Sequence, residues 1–174
     1  MNMNHLSDDA SQLTRLEPLL KAQKNAFAST PMPELNERLR RLNLLHNALL
    51  TYREQIYTAI DADFSGRSSA ETEMAEILPL LDGIAYYRKR LKKFMKPQRR
   101  HASLTIAPGK AEVHYQPLGV VGIVTPWNFP FFLALSPLIG ALAAGNRAMI
   151  KTSEFAPASG ELLRTILASV FQED

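Results

Sequence analysis

Apolar residues recur at helical intervals through the first half of the chain. Leu13, Leu16, Leu20 and Phe27 form a first stripe, with Thr14 and Glu17 at capping-box spacing, and Thr30-Pro31-Met32-Pro33 breaks it. From Pro33 the pattern predicts one longer helix. Leu35, Leu39, Leu42, Leu49, Ile56 and Ile60 share one face, and Glu37, Arg38, Arg41, Arg53 and Glu54 share the other. Such a stripe is more often ordinary packing than a docking face for a partner. Phe64-Ser65-Gly66-Arg67-Ser68 reads as a loop, and Ser68 with Glu71 repeats the capping-box spacing. A third helix carries Met74, Ile77, Leu78, Leu81, Ile84 and Leu91, and Pro79 with Gly83 predicts a kink within it.

After Pro97 the period changes. Ala102 to Ile106 and Ala111 to Gln116 alternate, and Ala107-Pro108-Gly109-Lys110 supplies turn chemistry between them, which predicts a β-hairpin. Val120, Val121, Ile123 and Val124 then have the composition of a strand buried on both faces. Pro126 ends it, Pro130 suits the first turn of an apolar helix, and Gly145-Asn146 breaks that helix ahead of a second strand, Ala148 to Ile150. Trp127, Asn128 and Phe129 are thereby set on a turn at a strand's carboxyl end, where open α/β sheets place ligands. Lys151 and Glu154 arrive at the same edge. The fold class predicted is α/β: a flexible tail over 1–12, a helical region over 13–100, the hairpin over 101–116, and strand–helix–strand units over 117–174.

Composition narrows the chemistry. The 174 residues contain no cysteine, which excludes disulfides, thiolate metal sites and a cysteine nucleophile within them. The polar start, with Asp8 and Asp9, does not resemble a secretory signal, so the cytoplasm is the expected location. The net charge is only +3, yet Arg88, Lys89, Arg90, Lys92, Lys93, Lys96, Arg99 and Arg100 cluster without an acid among them. Without a binding motif this run reads as a solvated helix end rather than a nucleic-acid or anionic-membrane footprint. Tyr115 to Asn146 lacks any charged residue, but Pro117, Pro126, Pro130 and Pro137 interrupt it, so no membrane span is expected. His5, His46, His101 and His114 lack metal-ligand spacing. No GxGxxG follows the strand, and Gly140-x4-Gly145 runs on into Asn146-Arg147, which is not a Walker loop.

Asn128 offers two uncharged donors at a strand-to-helix turn. By itself it reads equally as a cap for the helix begun by Pro130. Lys151 and Glu154, by themselves, read as a surface ion pair. The larger pattern is more specific. Pro126-Trp127-Asn128-Phe129-Pro130, then Gly145-Asn146, then Lys151-x-x-Glu154, resembles the cofactor-side signature of the aldehyde dehydrogenase superfamily in order and spacing. PLGVVGIVTPWNFP and PLIGALAAGN are most similar to the branch containing coniferyl aldehyde dehydrogenases.

The resemblance implies that 117–174 begins a Rossmann-like NAD(P)-binding domain, left incomplete because family members are far longer. It implies an oligomerisation element at the hairpin and hence a homo-oligomer. It implies that Asn128 stabilises the oxyanion of a thiohemiacetal on the way to a thioester and then an acid. Lys151 and Glu154 would hold the adenosine ribose, and Val124, Thr125, Pro126 and Trp127 would line the nicotinamide side. NAD is expected over NADP, because Glu154 would repel an added phosphate. The substrate expected is a small aldehyde, with coniferyl or another aromatic aldehyde suggested by the branch. Thr152 stands where many relatives have proline, which would loosen the turn before Glu154. The nucleophilic cysteine and the general-base glutamate motif are missing from these residues, so the chain alone is expected to be inactive. The alternative is a non-catalytic binding or interaction module built on the same fold.

Overall fold

Alternating blocks of helical and β-branched sequence give the computed structural model its order: helices first, then two short strand pairs. It describes the backbone of residues 4–171 and the side chains of residues 14–171. Helix α1 (Asn4–Ser29) begins well before Leu13, so residues 4–12 are helical where a tail was expected, and Thr14 lies inside the helix instead of capping it. His5 and Leu13 fall outside the residues with described side chains. Leu16 is exposed, and α1 touches the later strands through its carboxyl half, where Gln23 is buried and Phe27 half-buried.

The expected long helix is two, α2 (Leu35–Thr51) and α3 (Arg53–Phe64), parted at Tyr52, whose φ of −95° and ψ of 10° leave the helical basin. The stripe survives the break: Leu42, Leu45, Leu49, Ile56 and Ile60 are fully buried. Each such side chain contributes about 1.5–3 kcal/mol when removed from water. Arg38 was assigned to the polar face, yet it is 4% exposed. Its guanidinium finds carbonyls inside the protein, with Nε donating to Pro33 O at 2.8 Å and NH1 to Ala143 O at 3.2 Å.

Ser68 Oγ accepts from the Glu71 N–H at 3.1 Å and opens α4 (Ser69–Thr72) as the spacing predicted. A π-turn, Glu73–Ile77, joins it to α5 (Leu78–Phe94). The distortion therefore falls ahead of Pro79, and Gly83 leaves α5 unbroken. Proline has no N–H to continue the α pattern, and the Leu78 N–H reaches back to Glu73 O. The wider turn shifts the helical phase. Met74 and Leu78, expected inside, are exposed, whereas Glu76 and Ile77 are fully buried.

The antiparallel pair is β1 (Gln98–Arg100) with β2 (Ala111–Val113), in register from Gln98↔Val113 to Arg100↔Ala111. The first strand thus lies upstream of Ala102–Ile106, and Leu104–Ile106 instead forms a 3₁₀ turn capped by Ser103. Next come β3 (Val120–Val124), α6 (Pro130–Ala144), β4 (Arg147–Lys151) and α7 (Pro157–Val170). Strands β3 and β4 pair in parallel, from Val120↔Arg147 to Val124↔Lys151. Burial on both faces was expected for β3 but holds for one. Ile123 is buried, while Gly122 and Val124, on the opposite side of the pleat, are exposed. Helix α2 packs on α5, α6 and α7, and α3 on α7, so the helical region and the strand–helix units share one core.

Helix α6 stops at Gly145, whose φ of 88° suits glycine. A Cβ there would also lie 2.8 Å from Arg38 Cζ. No helix among the described residues is long and apolar enough to cross a membrane.

Candidate functional site

The carboxyl ends of β3 and β4 lie side by side and carry two loops, 125–129 and 152–156. The Thr125 N–H donates to Lys151 O at 3.1 Å, which extends the parallel pairing past the last residue of β3 and fixes where the first loop departs. Thr125 is buried; Pro126, Trp127 and Asn128 are exposed beyond it. Trp127 meets Phe155 edge to face at 5.8 Å between ring centroids, which joins the two loops by their exposed aromatic tips.

From the end of β4, Lys151 Nζ donates to Glu154 Oε2 on the second loop at 2.6 Å, and both side chains are well exposed. The Lys151 hydrogen bond holds the Glu154 carboxyl below the usual carboxylate range. At Thr152, Oγ1 comes within 2.9 Å of where a Cβ on Gly160 would stand, so α7 approaches the loop closely there. Val124, 81% exposed, and Gly122, with open space where a side chain would be, leave the outer face of β3 clear. A paired acceptor and donor beside an open apolar strand could hold a ribose next to a flat ring.

Asn128 does not cap α6. The residue before the helix is Phe129, which makes no side-chain cap, and the free amides of the first turn are already taken. Glu76 Oε2 accepts from the Phe131 N–H at 2.8 Å and the Phe132 N–H at 3.1 Å. Sequence reasoning missed Glu76. The available signal was its place in the register of Leu80 and Ile84, where a carboxylate needs partners inside the protein. Burial pushes its pKa up, and the amides of Phe132 and Phe131 and the Arg67 guanidinium oppose that rise. Arg67 NH1 reaches Glu76 Oε1 at 3.2 Å and the Asn128 carbonyl at 3.1 Å. Its Cζ lies 3.8 Å from the Phe64 ring centroid and 5.3 Å from that of Phe129.

The second loop ends in the same way. Asp63 Oδ1 accepts from the Ala158 N–H at 3.0 Å and Oδ2 from the Ser159 N–H at 2.8 Å, at the start of α7. Both helices open on proline, Pro130 and Pro157, so in each the next two amides need an outside acceptor. In both, a carboxylate from the helical region supplies it.

The aldehyde dehydrogenase family model matches residues 9–173. A probable coniferyl aldehyde dehydrogenase of Pseudomonas aeruginosa is 49% identical over 170 residues, which are 98% of this chain and 36% of that protein. Among solved structures, Staphylococcus aureus AldH in its substrate-bound state is 31% identical with a TM-score of 0.87, over 91% of this chain and 34% of that one. A succinic semialdehyde dehydrogenase of Streptococcus pyogenes in complex with NADP+, 21% identical, shares the fold with a TM-score of 0.77. The chain spans about a third of the length of the proteins it matches.

Proposed function

Because the chain belongs to the aldehyde dehydrogenase family, we propose that it is the amino-terminal part of an NAD(P)-dependent enzyme oxidising an aldehyde to its carboxylic acid. The observation that carries this reading is the meeting of two loops at one sheet edge, with the exposed Asn128 on the first and Glu154 on the second, paired with Lys151 at the end of β4. Freed from capping by Glu76, the Asn128 carboxamide can donate to an oxygen that gains negative charge as a nucleophile adds to the carbonyl. Val124, Thr125, Pro126 and Trp127 would form the wall against the nicotinamide. Glu154 would accept from ribose hydroxyls while Lys151 orients its carboxylate. When bound, the dinucleotide supplies the acceptor for the aldehyde hydride. These residues hold no cysteine, so the thiolate of the family mechanism would come from outside them.

An aromatic aldehyde such as coniferyl aldehyde is the substrate class favoured by the Pseudomonas aeruginosa relative. A homo-oligomer joined through the β1–β2 region is the assembly that accompanies this reading. In the intact enzyme, Asn128→Ala should lower kcat by about a hundred- to thousandfold and leave cofactor affinity nearly unchanged. Activity within about twofold of wild type would overturn the oxyanion role.

A further inference from the structure

The loop bearing Asn128 is gripped from behind by a group that the oxyanion reading does not use. Arg67 lies in the linker between α3 and α4, on the far side of the turn from solvent, with its side chain only 13% exposed. One of its nitrogens serves two acceptors, since NH1 lies 3.1 Å from the Asn128 carbonyl and 3.2 Å from Glu76 Oε1. The guanidinium plane cannot drift sideways, because the rings of Phe64 and Phe129 stand within cation–π distance of it. Glu76 is fully buried and spends its other oxygen on the first two free amides of α6. The peptide group on one side of Asn128 and the helix start a few residues later are therefore tied to a single ion pair.

We propose that Arg67 is a positioning residue for Asn128: anchored by Glu76, it fixes the carbonyl of Asn128 and so aims the Asn128 carboxamide at the reacting oxygen. This rests on the oxyanion reading above. The carbonyl and the side chain of Asn128 hang from one Cα, so holding the carbonyl limits how far that Cα, and the carboxamide it carries, can shift. A donor that must act on developing charge loses its advantage when misplaced by about 1 Å. Lysine cannot reproduce the arrangement, because it is a point donor without a plane to fit between two rings.

The test is a double-mutant cycle in the full-length enzyme, comparing Arg67→Lys, Asn128→Ala and the pair, with kcat per folded active site and thermal unfolding measured for each. Arg67→Lys is expected to lower kcat about tenfold at unchanged KM for the dinucleotide. In the Asn128→Ala background the same change should cost less than about twofold, because the group it aims is gone. Multiplicative losses would show that Arg67 acts independently of Asn128, and an undiminished kcat would show that it aims nothing; either overturns the proposal. If Asn128→Ala alone left kcat intact, the oxyanion reading would fail instead. Should Arg67→Lys not fold, Glu76→Gln gives the same cycle, because it keeps an acceptor for the amides while discharging the anchor. Its loss must likewise vanish in the Asn128→Ala background.

Discussion

Glu76 Oε2 accepts the Phe131 N–H at 2.8 Å across 55 positions of sequence, and this contact makes the start of α6 a long-range structure. A helix that opens on proline without a capping side chain leaves its amides bare. The carboxylate supplies charge of the right sign at the positive end of the helix dipole. At the other end Arg38 NH1 donates to Ala143 O, with burial lowering its pKa without neutralising it.

Replacing Glu76 by alanine would strip two amides of their acceptor and take from Arg67 its buried carboxylate partner. We expect Glu76→Ala to destabilise the intact protein by about 3–5 kcal/mol. Glu76→Gln, which keeps the acceptor, should cost about 1–2 kcal/mol. Denaturant titration of the two variants checks the order, and equal losses would show that the acceptor kept by glutamine contributes nothing.

Two carboxylates give opposite pH responses. Hydrogen bonding to Arg40, chiefly, lowers Glu37 from 4.5 to about 2. Its contribution is present above pH 4.5 and should be lost as pH falls from 4.5 to 2. Glu76 is shifted upward by burial, so the fold keeps its proton longer than the unfolded chain does. Wild type should therefore lose stability relative to Glu76→Gln as pH rises above 4.5. Unfolding curves across pH 2–7 for Glu37→Gln, Glu76→Gln and wild type read both slopes directly.

Cofactor choice should follow Glu154. Its carboxylate is exposed beside Lys151, and an added phosphate on the ribose would meet its negative charge. A modest preference for NAD is expected in the intact enzyme. Glu154→Gln should reduce the NAD/NADP ratio of kcat/KM by up to about fivefold. Equal kcat/KM for the two in wild type, or a ratio indifferent to the substitution, would contradict the assignment.

The 174 residues by themselves should neither oxidise aldehydes nor remain a dispersed monomer. Leu118, Val124, Trp127 and Phe155 are 90%, 81%, 54% and 69% exposed around a sheet of two strands, a surface that favours self-association. Size-exclusion chromatography and NADH formation with an aromatic aldehyde check both statements. A compact monomer with protected β3 and β4 amides would overturn the second.

The elements nearest the site were legible because their signals are local. β-Branched residues mark β3, proline marks the start of α6, and glycine marks its end. Tyr52 and the π-turn at Glu73–Ile77 were not legible, since each interrupts a stripe that continues in composition. The strand at Gln98–Arg100 was hidden by its charge, which reads as the continuation of a basic helix end. Arg38, Asp63 and Glu76 share a deeper reason. Each is a charged residue with a partner 105, 95 or 55 positions away, and no short window of sequence contains both halves of that contact.

Because Arg38 and Glu76 both hold α6 by backbone atoms, the socket around that helix works as a ruler. It reads length through backbone atoms, while the buried Phe131 and Ala143 side chains at the gripped ends are held separately by core packing. Removing one residue between Pro130 and Ala144 would draw the last carbonyl back by about 1.5 Å and turn it by about 100° away from Arg38. Substitutions along α6 are limited by the packing around them, while insertions and deletions there would in addition disengage one end, and with it one border of the site.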